Sequence, residues 1–269
     1  MNPLEPMLAT EYISERQIAY PCYVQPKLNG IRAVWTGDKL WSRGLVGGKQ
    51  KVFSDKVLGH IYKELRERYA GVPLDGELYT HGWSLQRINS AAGVNRKTPT
   101  KDSGLIQYHI YDVPREGSFE ERFCENCLEF QSPLRLVEAY YATSPEQAND
   151  MFKYWLGRKY EGMIYRVGRC TYQPGKQSTS LIKRKLWKDC IGKVVGYNEG
   201  KGRLVGTLGA IEVMIDELNC HATIGSGFTD KQRKILWKYK PFDLHLKIRY
   251  ECLTDGGLPY KPTLIEFIQ

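Results

Sequence analysis

The sequence predicts an α+β protein with a larger domain of antiparallel sheets and flanking helices, followed by a small β-barrel. A chain of 269 residues, 42% hydrophobic and 26% charged, is long enough for two folded domains. Strand-like and helix-like segments are mixed throughout the first part of the chain. Near residue 189 the pattern changes to short strands separated by Gly-rich turns. We therefore expect domains at 1–189 and 190–269.

The elements of the first domain follow from periodicity. Val57, Leu58, Ile61 and Leu65 recur every three to four residues after Ser54, which predicts a helix with Ser54 as its N-cap. The other runs are assigned in the same way. Helices are expected at 54–69, 83–92, 119–130 and 145–156, and strands within 24–41, 72–79, 105–113, 160–166 and 181–186.

The second domain reads as strands with one helix. Strands are expected at 192–197, 206–215, 219–224 and 243–253, and a helix at 229–238 with Thr229 as its N-cap. Several short strands and one helix in about 80 residues are typical of a five-stranded barrel of the OB type.

Composition excludes some classes of protein. No run of eighteen apolar residues is present, and residues 1–10 do not form a secretory signal, so we expect a protein of the cytoplasm that is not secreted. The seven cysteines are an odd number, which suits a reducing compartment. Cys124 and Cys127 form a C-x-x-C, but no second Cys or His pair stands at ligand spacing, so a zinc site is the lesser alternative.

The positive charge indicates an anionic partner. The net charge is +9, from 39 basic and 30 acidic residues. Residues 190–269 hold 11 basic and 9 acidic residues, which leaves 28 and 21, or +7, for residues 1–189. Nucleic acid is the simplest partner for such a chain, through contacts with phosphates. Charge alone does not separate an enzyme from a passive binder.

Lys27 stands two residues before Asn29-Gly30, between strand-like segments. The simple interpretation is a β-hairpin, because Asn-Gly is a strong turn signal. The alternative is a turn that holds a nucleophilic lysine over a nucleotide phosphate. That chemistry needs a neutral lysine, favoured by nearby cations such as Arg32, Lys183 and Lys185 or by a bound metal. It also needs cations against the phosphates, a carboxylate for Mg²⁺ and an aromatic ring for the base.

The same chain supplies these groups in order, and the set resembles the ATP-dependent DNA ligases of the covalent nucleotidyltransferase superfamily. The resemblance covers nearly the whole chain. Seven segments carry it: Lys27-Leu28-Asn29-Gly30, Ser42-Arg43-Gly44, Leu74 to Leu78, Tyr108 to Asp112, Glu161 to Ile164, Leu181 to Lys185, and Gly225 to Asp230.

The resemblance implies a role for each candidate residue. Lys27 would form the lysine–AMP adduct, Gln25 would contact the adenine edge, and Tyr111 would stack on the ring, with Tyr108 as the other candidate. The remaining roles are these: Arg32 and Arg43 at phosphate or ribose, Lys183 and Lys185 at the α-phosphate, Glu161 at the metal, Glu77 at the ribose or the metal, and Arg43 and Lys188 on DNA.

The implied activity is sealing of nicks in double-stranded DNA with ATP and Mg²⁺, in replication, repair or recombination. ATP adenylates Lys27, AMP passes to the 5′-phosphate, and the 3′-hydroxyl then displaces it. The resemblance is to the minimal ligases of viruses and bacteria. A monomer is expected, and the short barrel leaves room for an unidentified accessory protein.

Two positions depart from the ligase pattern. Asn29 stands where DNA ligases usually carry Asp, and an amide adds no charge there. The C-terminal stretch 260–269 holds Lys261 as its one basic residue, so the family's basic C-terminal motif is not assigned.

Other activities stay open at the level of sequence. An RNA ligase or an mRNA-capping enzyme of the same superfamily is favoured by Asn29, whereas Ser42-Arg43-Gly44 and Gly225 to Asp230 favour a DNA ligase. A non-catalytic OB-fold binder of nucleic acid is the alternative from another class. A NAD-dependent ligase is disfavoured, since no nicotinamide-binding domain or zinc-finger region is visible.

Overall fold

The structure is a computed structural model that describes residues 4–44, 49–124 and 131–268. The chain divides into two compact units, Met1–Lys185 and Leu186–Gln269. A strand beginning at Lys188 belongs to the second unit, so the division lies slightly before the predicted boundary at residue 189.

The elements of the first unit are β1 Leu8–Glu11, β2 Cys22–Lys27, β3 Ile31–Trp35, β4 Leu40–Ser42, α1 Gly59–Arg68, β5 Leu74–Tyr79, α2 Leu85–Ala92, β6 Gln107–Asp112, β7 Leu134–Leu136, β8 Tyr140–Ala142, α3 Pro145–Gly157, β9 Gly162–Val167 and β10 Gln177–Lys185. A short π-helix covers Glu120–Cys124. The second unit contains β11 Lys188–Glu199, β12 Leu208–Ile215, β13 Cys220–Ile224, α4 Asp230–Tyr239, β14 His245–Tyr250 and β15 Thr263–Ile268.

One sheet of the first unit has the strand order β1-β10-β9-β2-β8. Successive side chains of a strand alternate between its two faces. Val24, Met163, Tyr165 and Ile182 pack in one buried cluster with Trp155 of α3. The opposite face of β2, β9 and β10 is left to carry polar side chains.

The other sheet of the first unit has the order β4-β3-β5-β6-β7. Trp35 of β3 and Tyr108 of β6 are completely buried in the same core cluster as Ile61 and Leu65 of α1 and Ile88 of α2. Both sheets are mostly antiparallel, as expected, although β1 pairs with β10 and β6 with β7 in parallel.

The segment Leu28–Gly30 connects these two sheets. β2 pairs with β8 and β9, whereas β3 pairs with β4 and β5. The hairpin interpretation of Asn29-Gly30 is therefore wrong. Lys27 is the last residue of β2, at the point where the chain leaves the first sheet for the sheet that contains β3.

The second unit is one five-stranded sheet of order β13-β12-β11-β14-β15, with α4 between β13 and β14. Thr229 caps α4, accepting a hydrogen bond from the Gln232 backbone in a capping box, as predicted. A parallel bridge joins Ser226 to Thr263 at the start of β15. The described residues give an OB-like sheet rather than a fully closed barrel of paired strands.

Three element predictions need correction. The helix expected from Ser54 begins at Gly59, because residues 54–58 form a turn in which the carbonyl of Ser54 accepts from Val57 and Leu58. In the helix expected at 119–130, the described part is the π-helix, and residues 125–130 lie outside the described residues. Strand β15 was missed. Its register with β14 shifts between Lys247 and Ile248, which leaves Ile265 unpaired and interrupts the alternation of buried and exposed side chains along β15.

None of the helices in residues 4–44, 49–124 and 131–268 has the length and apolar character needed to cross a membrane.

Candidate active site

Lys27 faces a carboxylate shared by two lysines. Its Nζ lies 2.6 Å from Oε2 of Glu161, and Nζ of Lys185 lies 2.8 Å from the other oxygen, Oε1. Burial alone would raise the pKa of Glu161, but the two lysines hold that pKa below its usual range. The Glu161 backbone also donates to the Lys27 carbonyl at 3.0 Å. The three side chains therefore form one charged cluster at the end of β2.

Strand register explains why these residues meet. Lys27 pairs with Gly162 of β9, which pairs with Lys185 of β10. A Cβ on Gly162 would lie 2.1 Å from the Arg184 carbonyl oxygen, so glycine is required where the strands approach. Gln25 and Lys183 oppose Ile164 in the next row on the same face.

Glu77 fixes the turn that follows Lys27. Its Oε1 accepts a hydrogen bond from the Gly30 backbone N–H at 2.5 Å. Burial raises the pKa of Glu77 to about 7, and the positive charge of Lys27 opposes that rise. Glu77 lies in a cross-strand row between Arg32 of β3 and His109 of β6. The turn is thus held from the second sheet.

Arg32 makes a bidentate ion pair with Asp75, which is completely buried. Nε of Arg32 lies 3.0 Å from Oδ1 and Nη2 lies 2.5 Å from Oδ2. The Tyr172 hydroxyl donates to Oδ2 of Asp75 at 2.7 Å, and Nη1 of Arg32 donates to the Met7 carbonyl. Sequence reasoning missed Asp75 as a site residue, although a charge within a hydrophobic strand signals a buried partner.

The structure separates the two aromatic candidates for the base. Tyr108 is completely buried and donates its hydroxyl to the core carbonyls of Ala33 and Leu74. Tyr111 is half-buried, and the guanidinium of Arg32 lies 5.6 Å from its ring centroid. A register shift in the pairing of β5 with β6 at Asp75 places Tyr111 between paired positions. Of the two candidates, Tyr111 is therefore the one whose ring is not enclosed in the core.

A buried ionic network supports Gln25. Nε of Arg166 donates to Oε1 of Gln25 at 2.7 Å, and Nη2 donates to the Tyr111 carbonyl at 2.8 Å. Asp112 balances Arg166 at 2.5 Å and Arg122 at 2.7 Å. Gln25 is 1% exposed, and its Nε2 points to the Tyr111 carbonyl at 3.4 Å. Sequence reasoning missed Arg166 and Arg122, whose burial becomes visible only when their common partner Asp112 is in place.

His109 is another residue that sequence reasoning missed. Burial, with the charges of Arg135 and His81, lowers its pKa to about 4, so its ring is neutral near pH 7. Its register position opposite Glu77 places an uncharged imidazole in the same row as the carboxylate.

The predicted cationic surroundings of Lys27 need correction. Lys183 is paired with Glu11 at 2.8 Å, Lys185 with Glu161, and Arg32 with Asp75. Each cation that was expected to favour a neutral lysine is matched by a carboxylate, because partly buried charges are costly without partners. In this state the nearest charge to Lys27 is negative.

Two predicted contacts with nucleic acid lie outside this cluster. Arg43 is exposed, immediately after β4. Lys188 is exposed at the first position of β11, opposite Tyr250, and belongs to the second unit.

The predicted metal residues fit a hard cation. Glu161 and Glu77 supply carboxylate oxygens, and each influences the other's charge, since Glu161 raises the pKa of Glu77. No group of three or more His, Cys, Asp or Glu side chains suited to a metal is found in the part of the chain that the structure describes. Mg²⁺ commonly takes one or two carboxylates together with substrate phosphates, which matches this donor set. The zinc alternative at Cys124 and Cys127 lies outside the described residues, since Cys127 and the Cys124 side chain are not described.

Comparisons with known proteins find similarity to DNA ligases. Residues 199–267 match the family model of the DNA ligase OB-like domain. The DNA ligase of African swine fever virus, in a warthog isolate from Namibia, is 30% identical over 202 residues. The chain is related to the DNA ligases. That match covers 69% of this chain and 46% of the viral enzyme, so the chain spans about half the length of the curated relatives it matches.

Other DNA ligases match this chain over a larger share of their own length. A Haemophilus influenzae DNA ligase is 20% identical over 238 residues, which are 87% of this chain and 81% of the bacterial one. A solved Lig E DNA ligase superimposes with a TM-score of 0.80 at 22% identity, covering 97% of this chain and 99% of that one. Chlorella virus DNA ligase-adenylate gives 0.53 at 20% identity, over 99% and 98%. These superpositions establish that the chain shares the two-unit fold of these proteins, with an OB-like second unit.

Proposed function

We propose that the chain is an ATP-dependent DNA ligase that acts as a monomer and seals nicks through a lysine–AMP intermediate. The observation that carries the proposal is the cluster of Lys27, Glu161 and Lys185 at the end of β2, beside the turn held by Glu77. A nucleophilic amine, a carboxylate and a second cation within hydrogen-bond distance are the groups that transfer of a nucleotidyl group requires. Residues 1–185 would then be the adenylation domain.

Each residue near the cluster has a role in this proposal. Tyr111 would stack on adenine, and Gln25, oriented by Arg166, would contact the base edge. Lys185 and Lys183 lie on the same sheet face as Lys27 and would neutralise the α-phosphate. Arg32 would meet the ribose or a phosphate beneath Tyr111. Arg43 and Lys188, which are exposed, would contact the DNA backbone.

Glu161 and Glu77 would hold Mg²⁺. When bound, Mg²⁺ would neutralise charge on the phosphates of ATP. Because both Glu161 oxygens contact lysines in this state, we expect that binding of metal and ATP loosens the contact between Lys27 and Glu161.

The proposed reaction has three steps. Lys27 first loses its proton to solvent, and the neutral amine attacks the α-phosphorus of ATP. An N–P bond forms as the nitrogen loses a second proton, and the bond from the α-phosphorus to the oxygen bridging to the β-phosphate breaks, which releases pyrophosphate. AMP next moves from Lys27 to the 5′-phosphate oxygen of the nick, which restores the amine. The 3′-hydroxyl, losing its proton, then attacks the phosphorus of the 5′-phosphate. A new P–O bond joins the strand, and the bond from that phosphorus to the oxygen bridging to AMP breaks, so that AMP leaves.

The decisive experiment is incubation with α-³²P-ATP and Mg²⁺, followed by denaturing electrophoresis. Wild type and the Lys63→Ala control, altered at an exposed position of α1, should carry label, and Lys27→Ala should carry none. The label should be chased by nicked DNA with formation of a sealed strand. A folded wild type that takes no label after removal of prior AMP would favour the non-catalytic OB-fold binder instead.

The choice between DNA and RNA is tested on the labelled protein. The relatives reported above are DNA ligases, which favours nicked DNA. Asn29 is the residue that favours RNA. Faster sealing of nicked RNA, or labelling by GTP instead of ATP, would support an RNA ligase or a capping enzyme.

A further inference from the structure

A cationic pocket opens next to the active-site cluster. It has a volume of about 360 Å³ and is lined by His81, Gly157, Arg158, Lys159 and Tyr160. His81 lies in the turn after β5, Gly157 is the last residue of α3, and the other three lie between α3 and β9. Tyr160 directly precedes Glu161, whose backbone N–H donates to Lys27, so the pocket adjoins the cluster through one peptide unit.

The pocket presents two cations, Arg158 and Lys159. The carboxylate that acts on its Tyr160 wall, Glu138, accepts a hydrogen bond from Nε1 of Trp155 at 2.7 Å. Arg158 and Lys159 are exposed, and among the described residues neither forms an ion pair. The guanidinium of Arg158 lies 4.7 Å from the Tyr154 ring centroid, which orients its plane. An anion that enters this pocket would therefore meet two cations that are not already neutralised.

His81 adds a third donor. Its Nδ1 lies 2.9 Å from the Tyr79 hydroxyl, which also receives a hydrogen bond from the Gly82 backbone. Because Tyr79 is buried and its hydroxyl already accepts from Gly82, donation of its proton to Nδ1 is favoured. The tautomer with hydrogen on Nε2 follows, and in it Nε2 is a donor. The His81 ring packs 4.8 Å from that of Tyr160, which gives the pocket an aromatic wall.

Lys159 is held in a backbone conformation that favours glycine. Its φ is +66°, at the end of α3, where the Tyr160 N–H donates to the Trp155 carbonyl. Glycine is the usual residue at such a helix end, because a Cβ there is strained. Lysine at position 159 therefore strains the local backbone where glycine would not. This favours a function for the Lys159 side chain other than ending the helix.

We propose that this pocket binds a backbone phosphate of the polynucleotide strand close to the nick. The inference rests on the proposed function and names a contact for its DNA substrate. Exposed cations on an open pocket suit a ligand that stays largely in solvent, as a duplex backbone does. Lys27, Lys183 and Lys185 already supply cations for the triphosphate on the neighbouring sheet face.

The test compares Lys159→Gly and Lys159→Arg with Lys153→Ala, which removes an exposed lysine of α3 outside the pocket. Nicked-duplex affinity is measured by anisotropy in EDTA, and lysine–AMP formation is measured separately. We expect Lys159→Gly to weaken nick binding about 3- to 10-fold and to lower the salt slope by about 1. Its melting temperature should be equal or higher, and Lys159→Arg should bind like wild type.

Two results would overturn the proposal. One is nick affinity of Lys159→Gly equal to that of Lys153→Ala, and the other is a loss confined to lysine–AMP formation, which would assign the pocket to ATP. Failure of wild type to form lysine–AMP would instead remove the proposed function, since binding to the nick is measured independently of adenylation.

Discussion

The carboxylate of Glu161 contacts Lys27, the proposed nucleophile, and the neighbouring cation Lys185 at the same time. Its two oxygens lie 2.6 Å from Lys27 and 2.8 Å from Lys185. Without that negative charge the two ammonium groups would repel each other, and the orientation of Lys27 toward its substrate would be lost. The orientation of the Lys27 side chain therefore depends on the carboxylate of Glu161.

Replacement of Glu161 by Gln should slow lysine–AMP formation by about 100-fold, the effect typical of losing one preorganised polar contact. An amide presents an N–H to one lysine and cannot balance either charge. Single-turnover labelling with ATP measures the rate. Glu11→Gln, which removes the carboxylate paired with Lys183, is the matched control and should change the rate far less. Equal rates for the two variants would contradict this role.

Glu77 makes stability depend on pH. Its pKa is raised from 4.5 to about 7, so the folded protein binds this proton more tightly than the unfolded chain. The stabilisation by the proton is complete below about pH 4.5 and is lost as the pH rises through about 7. Glu77→Gln, which keeps the acceptor for Gly30 and removes the titration, should gain about 3 kcal/mol of stability relative to wild type between pH 4.5 and 8.

Urea denaturation in metal-free buffer at several pH values measures this difference in the free energy of unfolding. Replacement of the exposed Glu67 by Gln is the control and should leave the pH dependence of wild type unchanged. A Glu77→Gln variant whose pH profile runs parallel to that of wild type would show that Glu77 titrates normally.

At the scale of elements, β9 is the strand that assembles the site. It lies between β2 and β10, and Gly162 brings Lys27 and Lys185 into one row. A methyl group at Gly162 would meet the Arg184 carbonyl oxygen at 2.1 Å, so β10 would have to move away. Gly162 therefore determines both the position of Lys185 relative to Lys27 and the stability of the β9–β10 pairing.

Gly162→Ala should destabilise the first unit by about 2–3 kcal/mol, as overpacking commonly does. It should also reduce lysine–AMP formation more than the lost stability explains, because Lys185 shifts away from Glu161. Thermal melts and labelling at a temperature where the variant is folded separate the two effects. Gly59→Ala places its methyl group in open space and should be neutral. A Gly162→Ala variant that is as stable as wild type but forms no lysine–AMP would contradict the predicted loss of stability. It would show that the substitution acts only by displacing Lys185.

Sequence patterns predicted the helices and most strands, because periodicity reports which face is buried. They could not show which strands belong to the same sheet. Asn29-Gly30 has the local signal of a hairpin, yet the strands before and after it belong to different sheets. The partners of charged residues were equally hidden. Arg166 and Asp112 are 54 positions apart and meet only in the folded unit. Tyr108 and Tyr111 were both plausible from sequence, and only the fold shows that the Tyr108 ring is buried in the core while Tyr111 lies at the irregular β5–β6 register.

At the scale of the whole molecule, the positive charge is concentrated where the proposed chemistry occurs. Residues 1–189 carry +7 of the total +9, and residues 190–269 are close to balanced. Many basic side chains are already paired within the fold, as Arg122 is with Asp112 and Arg249 with Asp189. The exposed remainder would bind a polyanion by releasing its counterions, whereas ATP binding depends on the few groups around Lys27.

Affinity for a nicked duplex should therefore fall much more steeply with salt than lysine–AMP formation does. If four to six phosphates are neutralised, raising KCl from about 50 to 200 mM should weaken nick binding on the order of 10²- to 10³-fold. Over the same range, labelling by ATP should change by less than about tenfold, because small polyanions release fewer ions. Anisotropy and labelling in the same buffers give both slopes. A nick affinity that changes with salt no more than labelling does would mean that the surface charge does not hold the DNA.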